Sequence, residues 1–180
     1  MAVKYYTMKK KLLVSFSGGE TSGFMAQWLW KHKQDEYEMI FVFANTGLEN
    51  EETLDFVEKC SKHFKFHTYW VESLVVHNDR VGSKFIEVDS KTASGNGEPF
   101  EEVIKKYGIP NMAFPHCTRE LKQNPLMAFA KDFWNGEEFY TAIGIRADEI
   151  DRVNAKWKEK RFIYPLASPK WGIPTTKSMI

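Results

Sequence analysis

The sequence predicts an α/β fold, a doubly wound and mostly parallel sheet with helices on both faces. Short apolar runs of strand length alternate with stretches whose apolar residues have helical spacing. The resulting order of strand, helix, strand, helix and strand is typical of a parallel sheet whose faces are covered. Because crossovers between parallel strands are almost always right-handed, this order favours the doubly wound arrangement.

The first half of the chain contains three predicted strands and two predicted helices. The strands cover residues 11–16, 39–44 and 66–71, and the helices cover residues 22–32 and 49–64. A Ser-Gly-Gly turn ends the first strand, and an Asn-Thr-Gly turn ends the second. Two glutamates fall in the first turn of the second helix, where the helix dipole favours negative charge.

Residues 77–99 are less regular than the part of the chain before them. Pro125 is expected to open a new helical segment after an Asn124 cap. The predicted elements are a loop at 94–97, a short helix at 100–107, a helical stretch at 118–134, a strand at 139–145, a short helix at 148–157 and a strand at 162–166. We expect residues 1–180 to form a single domain in which residues 167–180 are a loop-like tail.

The composition is that of an ordinary globular domain, with 43% hydrophobic and 27% charged residues. Lys and Arg number 25 and Asp and Glu number 24, so the net charge of +1 indicates neither nucleic acid nor an anionic membrane as a partner. The apolar runs are too short to cross a bilayer, and residues 1–11 lack the pattern of a signal peptide. These observations predict a cytoplasmic protein.

The two cysteines, Cys60 and Cys117, are too few for a disulfide framework, a four-thiolate zinc site or an iron–sulfur cluster held by one chain. We therefore expect no iron–sulfur cluster and no structural zinc. Cys60 shares a helical stripe with His63 and His67, but a core-facing cysteine beside surface histidines explains this spacing better than a zinc site.

A glycine-rich loop, SFSGGETSG at residues 15–23, lies between the first predicted strand and helix. Gly18 and Gly19 let the backbone turn tightly and approach a ligand closely. The helix N-terminus that follows offers free N–H groups and the positive end of the dipole. The loop therefore has the components of a phosphate cradle, although its spacing matches neither the Walker nor the dinucleotide-binding pattern. The alternative is a turn that only connects strand to helix.

Polar residues also follow two other predicted strands. Ligands of open parallel sheets lie at the carboxyl ends of the strands, where Thr46, Gly47 and Arg146 are expected. The guanidinium of Arg146 has the geometry to clamp a phosphate or sulfate through two bonds. Asp148 and Glu149 could hold Mg²⁺, with helix capping as the alternative for Asp148.

Arg119 and Lys122 lie three residues apart on a predicted helix and hence on one face. They could contact the anionic end of a substrate or form a solvated basic face. The same two alternatives hold for Arg152. The sequence leaves the oligomeric state open, a homo-oligomer included.

Five blocks of sequence, in order, resemble one protein family. The S-G-G-x-T-S loop resembles the PP-loop of the adenine-nucleotide α-hydrolase superfamily. The other blocks are similar to the phosphoadenosine-phosphosulfate (PAPS) reductase family within it. They are FANTGLENEETLDF at 43–56, HCTRELKQNP at 116–125, GIRADEIDR at 144–152, and FIYPL at 162–166 with Trp171 after it. The resemblance covers residues 12–171 and is greatest to short members from phages and mobile elements.

This resemblance implies an enzyme that binds an adenine nucleotide, ATP or PAPS. The reaction would be reductive sulfonyl chemistry on PAPS or cleavage of ATP between its α and β phosphates with Mg²⁺. The expected nucleotide- and phosphate-binding residues are Ser15, Ser17, Gly18, Gly19, Glu20, Thr21, Ser22, Asn45, Thr46, Gly47, Arg119, Gly144, Arg146 and Arg152. The expected catalytic residues are Cys117, Lys122 and Arg146, and the expected metal ligands are Asp148 and Glu149.

The chain departs from the family pattern at three points. Glu20 stands where many relatives carry Lys or Arg, and it either points away from the phosphates, binds a bridging metal or weakens nucleotide binding. Asn45 replaces a frequent Asp. The Glu-Cys-Gly tail that carries the reactive thiol of PAPS reductases is not found within residues 1–180. This leaves Cys117 as the candidate thiol, activated by His116, Arg119 or a helix N-terminus, with an unreactive cysteine as the alternative.

These departures support a second class of function, a non-catalytic nucleotide-binding or regulatory subunit that works with a partner protein. A third class, an accessory protein of DNA modification, is suggested only by the resemblance. The near-neutral charge of the chain gives that class little support.

Overall fold

The computed structural model describes residues 8–78, 80–111 and 114–180. Within these ranges the chain forms one six-stranded sheet in the order β4-β3-β2-β1-β5-β6. The strands are β1 Lys10–Ser15, β2 Tyr37–Asn45, β3 Thr68–Leu74, β4 Lys84–Val88, β5 Tyr140–Ala142 and β6 Phe162–Ile163. Neighbouring strands are parallel except β3 and β4, which are antiparallel. The α-helices are α1 Glu20–His32, α2 Glu51–Phe64, α3 Glu98–Tyr107 and α4 Asn124–Phe133.

The helices cover both faces of the sheet, which confirms the predicted doubly wound α/β fold. Strand residues alternate between the faces. Leu12 of β1 therefore packs in the same cluster as Met25 of α1 and Val57 of α2. Leu13 packs on the opposite face, in the cluster that contains Phe129 of α4. Each buried side chain of this size stabilises the fold by about 1.5–3 kcal/mol relative to exposure.

The order of the strands reverses between β1 and β5, because β2 and β3 lie on one side of β1 and β5 and β6 on the other. In open parallel sheets such a switch point leaves a crevice at the carboxyl ends of the strands. The loops that follow β1 and β5 meet at this crevice, which is where the sequence places its glycine-rich loop and Arg146.

Strand β4 is absent from the prediction, which treated this region as irregular. Its five residues, Lys-Phe-Ile-Glu-Val, form the antiparallel edge of the sheet, and the outward side chain of Ile86 is 41% exposed. A short edge strand with charged residues needs no long apolar run, so the pattern of hydrophobicity carries little signal for it.

The helical stretch predicted at residues 118–134 divides into a π-helical segment, Thr118–Gln123, and α4. The prediction that Asn124 caps α4 was wrong. Asn124 has helical backbone angles, and its amide donates to Glu120 over 3.0 Å. The junction is therefore continuous, with the side chain of Asn124 turned back toward the preceding segment.

The last third of the chain has less regular structure than predicted. Three 3₁₀ helices form at Ala147–Arg152, Pro169–Trp171 and Lys177–Met179 within the described residues. The tail is nevertheless tied to the core, because the N–H of Thr175 donates to the carbonyl oxygen of Leu166 and its carbonyl oxygen accepts the N–H of Ala147. No helix in the described ranges has both the length and the apolar character needed to cross a bilayer.

Candidate functional site

The loop between β1 and α1 requires glycine at position 18. Gly18 has a φ of +76°, and a Cβ at this position would lie 2.5 Å from Cγ2 of Thr53. Both the backbone conformation and the space therefore exclude a side chain. The loop therefore packs directly against the first turns of α2.

Two serines close this loop. The backbone N–H and the hydroxyl of Ser17 both donate to Oγ of Ser22 over 3.1 Å. The Ser22 hydroxyl donates in turn to the carbonyl oxygen of Gly19 over 2.9 Å. Ser22 is buried, whereas Ser17 is exposed, as are the two residues that open α1, Gly19 and Glu20.

The first turn of α1 is open to a ligand. Gly19 precedes the helix in an extended conformation and has no side chain with which to cap it. The first amides of a helix have no carbonyl partner within the helix, and the dipole adds a positive potential there. This geometry favours an anion at the start of α1.

Arg146 reaches this turn from the other side of the switch point. Its Nη1 donates to Oγ1 of Thr21 over 3.1 Å, although the two residues are 125 positions apart. The close approach of the backbones makes this contact possible, since a Cβ on Gly144 would lie 3.3 Å from Cα of Ser22. The predicted Arg146, Gly144 and glycine-rich loop are thus brought together.

Two carboxylates orient Arg146. Its Nε donates to Asp148 over 2.9 Å, and its Nη1 lies 3.3 Å from Oε2 of Glu149. The hydrogen bond with Asp148 raises the pKa of Arg146 and lowers the pKa of Asp148. Burial alone would raise the pKa of Glu149, but hydrogen bonds from Arg152 and the Arg146 backbone lower it. Arg146, Asp148 and Glu149 are therefore charged at neutral pH.

The predicted metal ligands, Asp148 and Glu149, are both engaged in ion pairs with arginine. Carboxylates suit Mg²⁺, but Asp148 and Glu149 both direct oxygens at guanidinium groups. Among the described residues, no group of three or more His, Cys, Asp or Glu is placed to hold a metal ion. The arrangement supports a role in positioning Arg146, and Mg²⁺ binding by these two residues stays a prediction.

Asn45 at the end of β2 is fully buried and its amide is engaged within the protein. Its Nδ2 donates to Oε1 of Glu72 over 2.7 Å and to the carbonyl oxygen of Ser94 over 2.8 Å. Its Oδ1 accepts the N–H of Gly47 over 3.2 Å. Asn45 thus shapes the β2–α2 loop, and contact between its amide and a nucleotide stays a prediction.

A second chain of bonds links this loop to the π-helical segment. Thr46 Oγ1 donates to Oε1 of Glu49 over 3.0 Å, and Nζ of Lys122 lies 3.2 Å from the same oxygen. Lys122 is therefore held beside the end of β2 with its charge facing the carboxyl edge of the sheet.

Arg119 and Lys122 have different partners. Arg119 donates through Nε to Glu120 over 2.7 Å and lies above the ring of Tyr107, while Lys122 contacts Glu49. A π-helical turn is wider than an α-helical turn, so residues three apart no longer share one face. The common face that an α-helix would give these two residues is therefore not formed.

The two cysteines are free and occupy different environments. Cys117 is half-buried at the start of the π-helical segment. The neighbouring His116 is buried, and its Nε2 donates to the carbonyl oxygen of Gly108 over 3.0 Å, which occupies one ring nitrogen. Cys60 is buried in the core and burial raises the pKa of its thiol. His63 is exposed, as expected for a core cysteine beside a surface histidine.

Glu72 was missed by the sequence interpretation. It is 2% exposed and accepts bonds from the N–H and hydroxyl of Ser94 over 2.6 and 2.9 Å, in addition to the amide of Asn45. The available signal was a carboxylate inside the apolar strand sequence TYWVESL, because a buried carboxylate needs several hydrogen bonds.

The fold and the gathered polar loops place the chain among doubly wound α/β domains with a polar crevice at the sheet's switch point. A family model for the phosphoadenosine phosphosulfate reductase domain matches residues 11–161. The chain therefore belongs to the PAPS reductase domain family.

Curated relatives agree with this assignment. The chain is 32% identical over 154 residues to the uncharacterized nin region protein ORF290 of Escherichia phage lambda, with 80% of this chain and 51% of the phage protein aligned. It is 30% identical over 145 residues to the uncharacterized protein MJ0066 of Methanocaldococcus jannaschii, with 81% of this chain and 25% of the archaeal protein aligned. The chain thus spans about half the length of the phage relative and about a quarter of the archaeal one.

Proposed function

We propose that the chain binds an adenine nucleotide, ATP or PAPS, and acts on it as an enzyme. The phosphates would lie at the start of α1, between the amides of the glycine-rich loop and the guanidinium of Arg146. The observation that carries this proposal is the bond between Arg146 and Thr21, which holds a cation against a helix N-terminus. Membership of the PAPS reductase domain family supports a nucleotide-related function.

The chemistry follows from where charge would develop. Helix amides and a fixed guanidinium stabilise an anionic leaving group without reorganising during the reaction. With ATP the leaving group would be pyrophosphate, and with PAPS it would be adenosine bisphosphate after a thiol attacks the sulfonyl group. Lys122, held by Glu49 at the same edge of the sheet, would add positive charge. Cys117 is the proposed thiol.

The binding step is tested by isothermal calorimetry with ATP and with PAPS. Replacing Arg146 with Ala removes a charge-assisted contact that is typically worth about 1.5–3 kcal/mol, so we expect the dissociation constant to rise about tenfold or more. Arg161→Gln is the matched control, since Arg161 pairs with Glu138 on the surface. Absence of binding to the native chain, or an Arg146→Ala variant with native affinity, would contradict the proposal.

The reaction is tested by incubating the protein with α-labelled ATP, and separately with labelled PAPS and a thiol donor. Release of AMP supports cleavage between the α and β phosphates, and release of adenosine bisphosphate supports reduction of PAPS. Nucleotide binding without either product would instead support the non-catalytic, regulatory alternative. A Cys117→Ala variant that keeps full turnover of PAPS would remove Cys117 from the mechanism.

A further inference from the structure

A basic pocket lies away from the glycine-rich loop, between the β3–β4 connection, the end of α3, the π-helical segment and α4. Its volume is about 760 Å³, within the range of sites that hold small molecules. We define the basic pocket by its four cations, Arg80, Lys106, Arg119 and Lys131. None of the described residues that line it belongs to the β1–α1 loop, and Arg146 is not among them.

The carboxylate of Glu120 pairs with Arg119 but is outnumbered by the four cations of the basic pocket. Among the described residues that line the basic pocket, Glu120 is the one acidic side chain, against four cations. It is 1% exposed and accepts bonds from Ser83, Asn124 and Arg119. Burial alone would raise its pKa, but the bonds from Ser83 and Arg119 lower it. Glu120 thus stays charged and buried while the pocket keeps an excess of positive charge.

Two of the cations are fixed in position. Nζ of Lys106 donates to the carbonyl oxygens of Val76 and Val81 over 2.6 and 2.7 Å. An ammonium group has three N–H donors, so one is left for a ligand. Lys106 Nζ and Arg119 Cζ both lie within 6.0 Å of the ring centroid of Tyr107. Cationic groups that line one pocket repel each other, and a bound anion would relieve that repulsion.

From this geometry we propose that the basic pocket binds the phosphate groups of a second ligand, separate from the nucleotide at the β1–α1 loop. Guanidinium and ammonium groups together suit a phosphate, because the first offers paired donors and the second a compact charge. The neighbouring cleft shares Tyr107 and Arg119 with the basic pocket and adds Phe114, which is 70% exposed. An aromatic surface beside cations gives a planar group of the same ligand a place to stack.

The proposal is tested by two-dimensional NMR of the native chain titrated with inorganic pyrophosphate. Signals of Gly82 and Ser83 report on the basic pocket, and signals of Gly18 and Gly19 report separately on the β1–α1 loop. We expect saturable shifts at Gly82 and Ser83. In the Arg80→Gln/Lys131→Gln variant the same shifts should need about tenfold more pyrophosphate.

The matched control is Lys59→Gln/Lys62→Gln, which removes two exposed charges from α2 outside the basic pocket. In this control the signals of Gly82 and Ser83 should shift at the same pyrophosphate concentrations as in the native chain. Absence of shifts at these residues, or equal titration of the Arg80→Gln/Lys131→Gln variant and the native chain, would overturn the proposal even if Gly18 and Gly19 respond.

A second titration with a short single-stranded oligonucleotide identifies the source of the phosphates. Tighter binding than that of pyrophosphate, with a steep loss of affinity as salt increases, would assign the basic pocket to a nucleic-acid strand. Binding no tighter than that of pyrophosphate would assign it to a small phosphorylated compound. Both results uphold phosphate recognition, which fails if neither probe moves the signals of Gly82 and Ser83.

Discussion

Two adjacent glycines in the β1–α1 loop show how much the structure demands of a single position. Gly18 and Gly19 are adjacent and chemically identical, yet their requirements differ. A Cβ on Gly18 would collide with Thr53, whereas no described atom lies within 4 Å of a Cβ on Gly19. Of these two glycines, Gly18 has a positive φ and Gly19 does not. The two positions therefore form a matched pair for experiment.

Replacing Gly18 with Ala should lower the free energy of unfolding by about 1–3 kcal/mol, because the alanine would be strained at a positive φ and its Cβ would clash with Thr53. Urea denaturation of the two variants provides the measurement. Gly19→Ala, which has an ordinary φ of −96°, should stay within about 0.5 kcal/mol of the native chain. Equal loss of stability in both variants would show that the contact with Thr53 does not matter.

Glu20 is the residue that departs most clearly from the pattern of the family. It lines a groove between α1 and α2 together with Phe24 and Phe56, while the adjacent Thr21 contacts Arg146. This placement supports the first of its three alternatives, a carboxylate directed away from the phosphates.

Reversing the charge at this position should therefore have a small effect on nucleotide binding. A carboxylate 4 Å from a phosphate charge costs about 1 kcal/mol in water and about half as much at twice that distance, so reversing the charge of a side chain that far away changes the affinity of Glu20→Lys by about fivefold or less. Calorimetry with ATP gives this value, with Glu159→Lys as an exposed control. A larger gain in affinity would place Glu20 at the phosphates.

At the scale of elements, the π-helical segment connects the sheet to the basic pocket. Glu120 in this segment holds the β3–β4 connection through Ser83 and the start of α4 through Asn124. The bonds from Ser83, together with the bond from Arg119, favour the ionised form of the carboxylate. The segment thus depends on one buried charge for its attachment to two neighbouring elements.

This dependence predicts a loss of stability in acid. The folded pKa of Glu120 lies below its ordinary value, so its contribution is complete above the unfolded pKa, near 4.3, and is lost as pH falls through the folded pKa. Glu120→Gln should be less stable than the native chain at neutral pH and should lose less stability on acidification. Urea midpoints measured across pH test this, with Glu101→Gln as the exposed control. Parallel curves for Glu120→Gln and the native chain would contradict it.

The sequence predicts those elements that have a strong local signal. The runs that became β1 and β2 are apolar and end in glycine-containing turns, so their positions and the loops after them were found. Strand β4 was missed because its pairing with β3, and not its own hydrophobicity, holds it in the sheet. The π-helical turn was missed because α-helical and π-helical stretches share the same residue types.

At the scale of the whole molecule, topology brings together residues that are far apart in the chain. Arg146 and Thr21 could be predicted to meet, because both follow parallel strands and the carboxyl ends of such strands share one edge. The bonds among Asn45, Glu72 and Ser94 could not, since they depend on the neighbouring order of β2 and β3 and on the path of the later loop. Membership of the family predicts the shared architecture but does not predict these individual hydrogen bonds.

The bonding of Glu72 has a consequence for how the carboxyl edge of the sheet can change. One side chain ties the end of β2 and the segment around Ser94, and Gly97 donates its N–H to the carbonyl oxygen of Gly47 in the same region. The loop after β2 and the loop at residues 94–97 are thus joined by hydrogen bonds in one region. A shorter residue at position 72 would remove hydrogen bonds from both loops at once, so neither loop can be redesigned as an independent part.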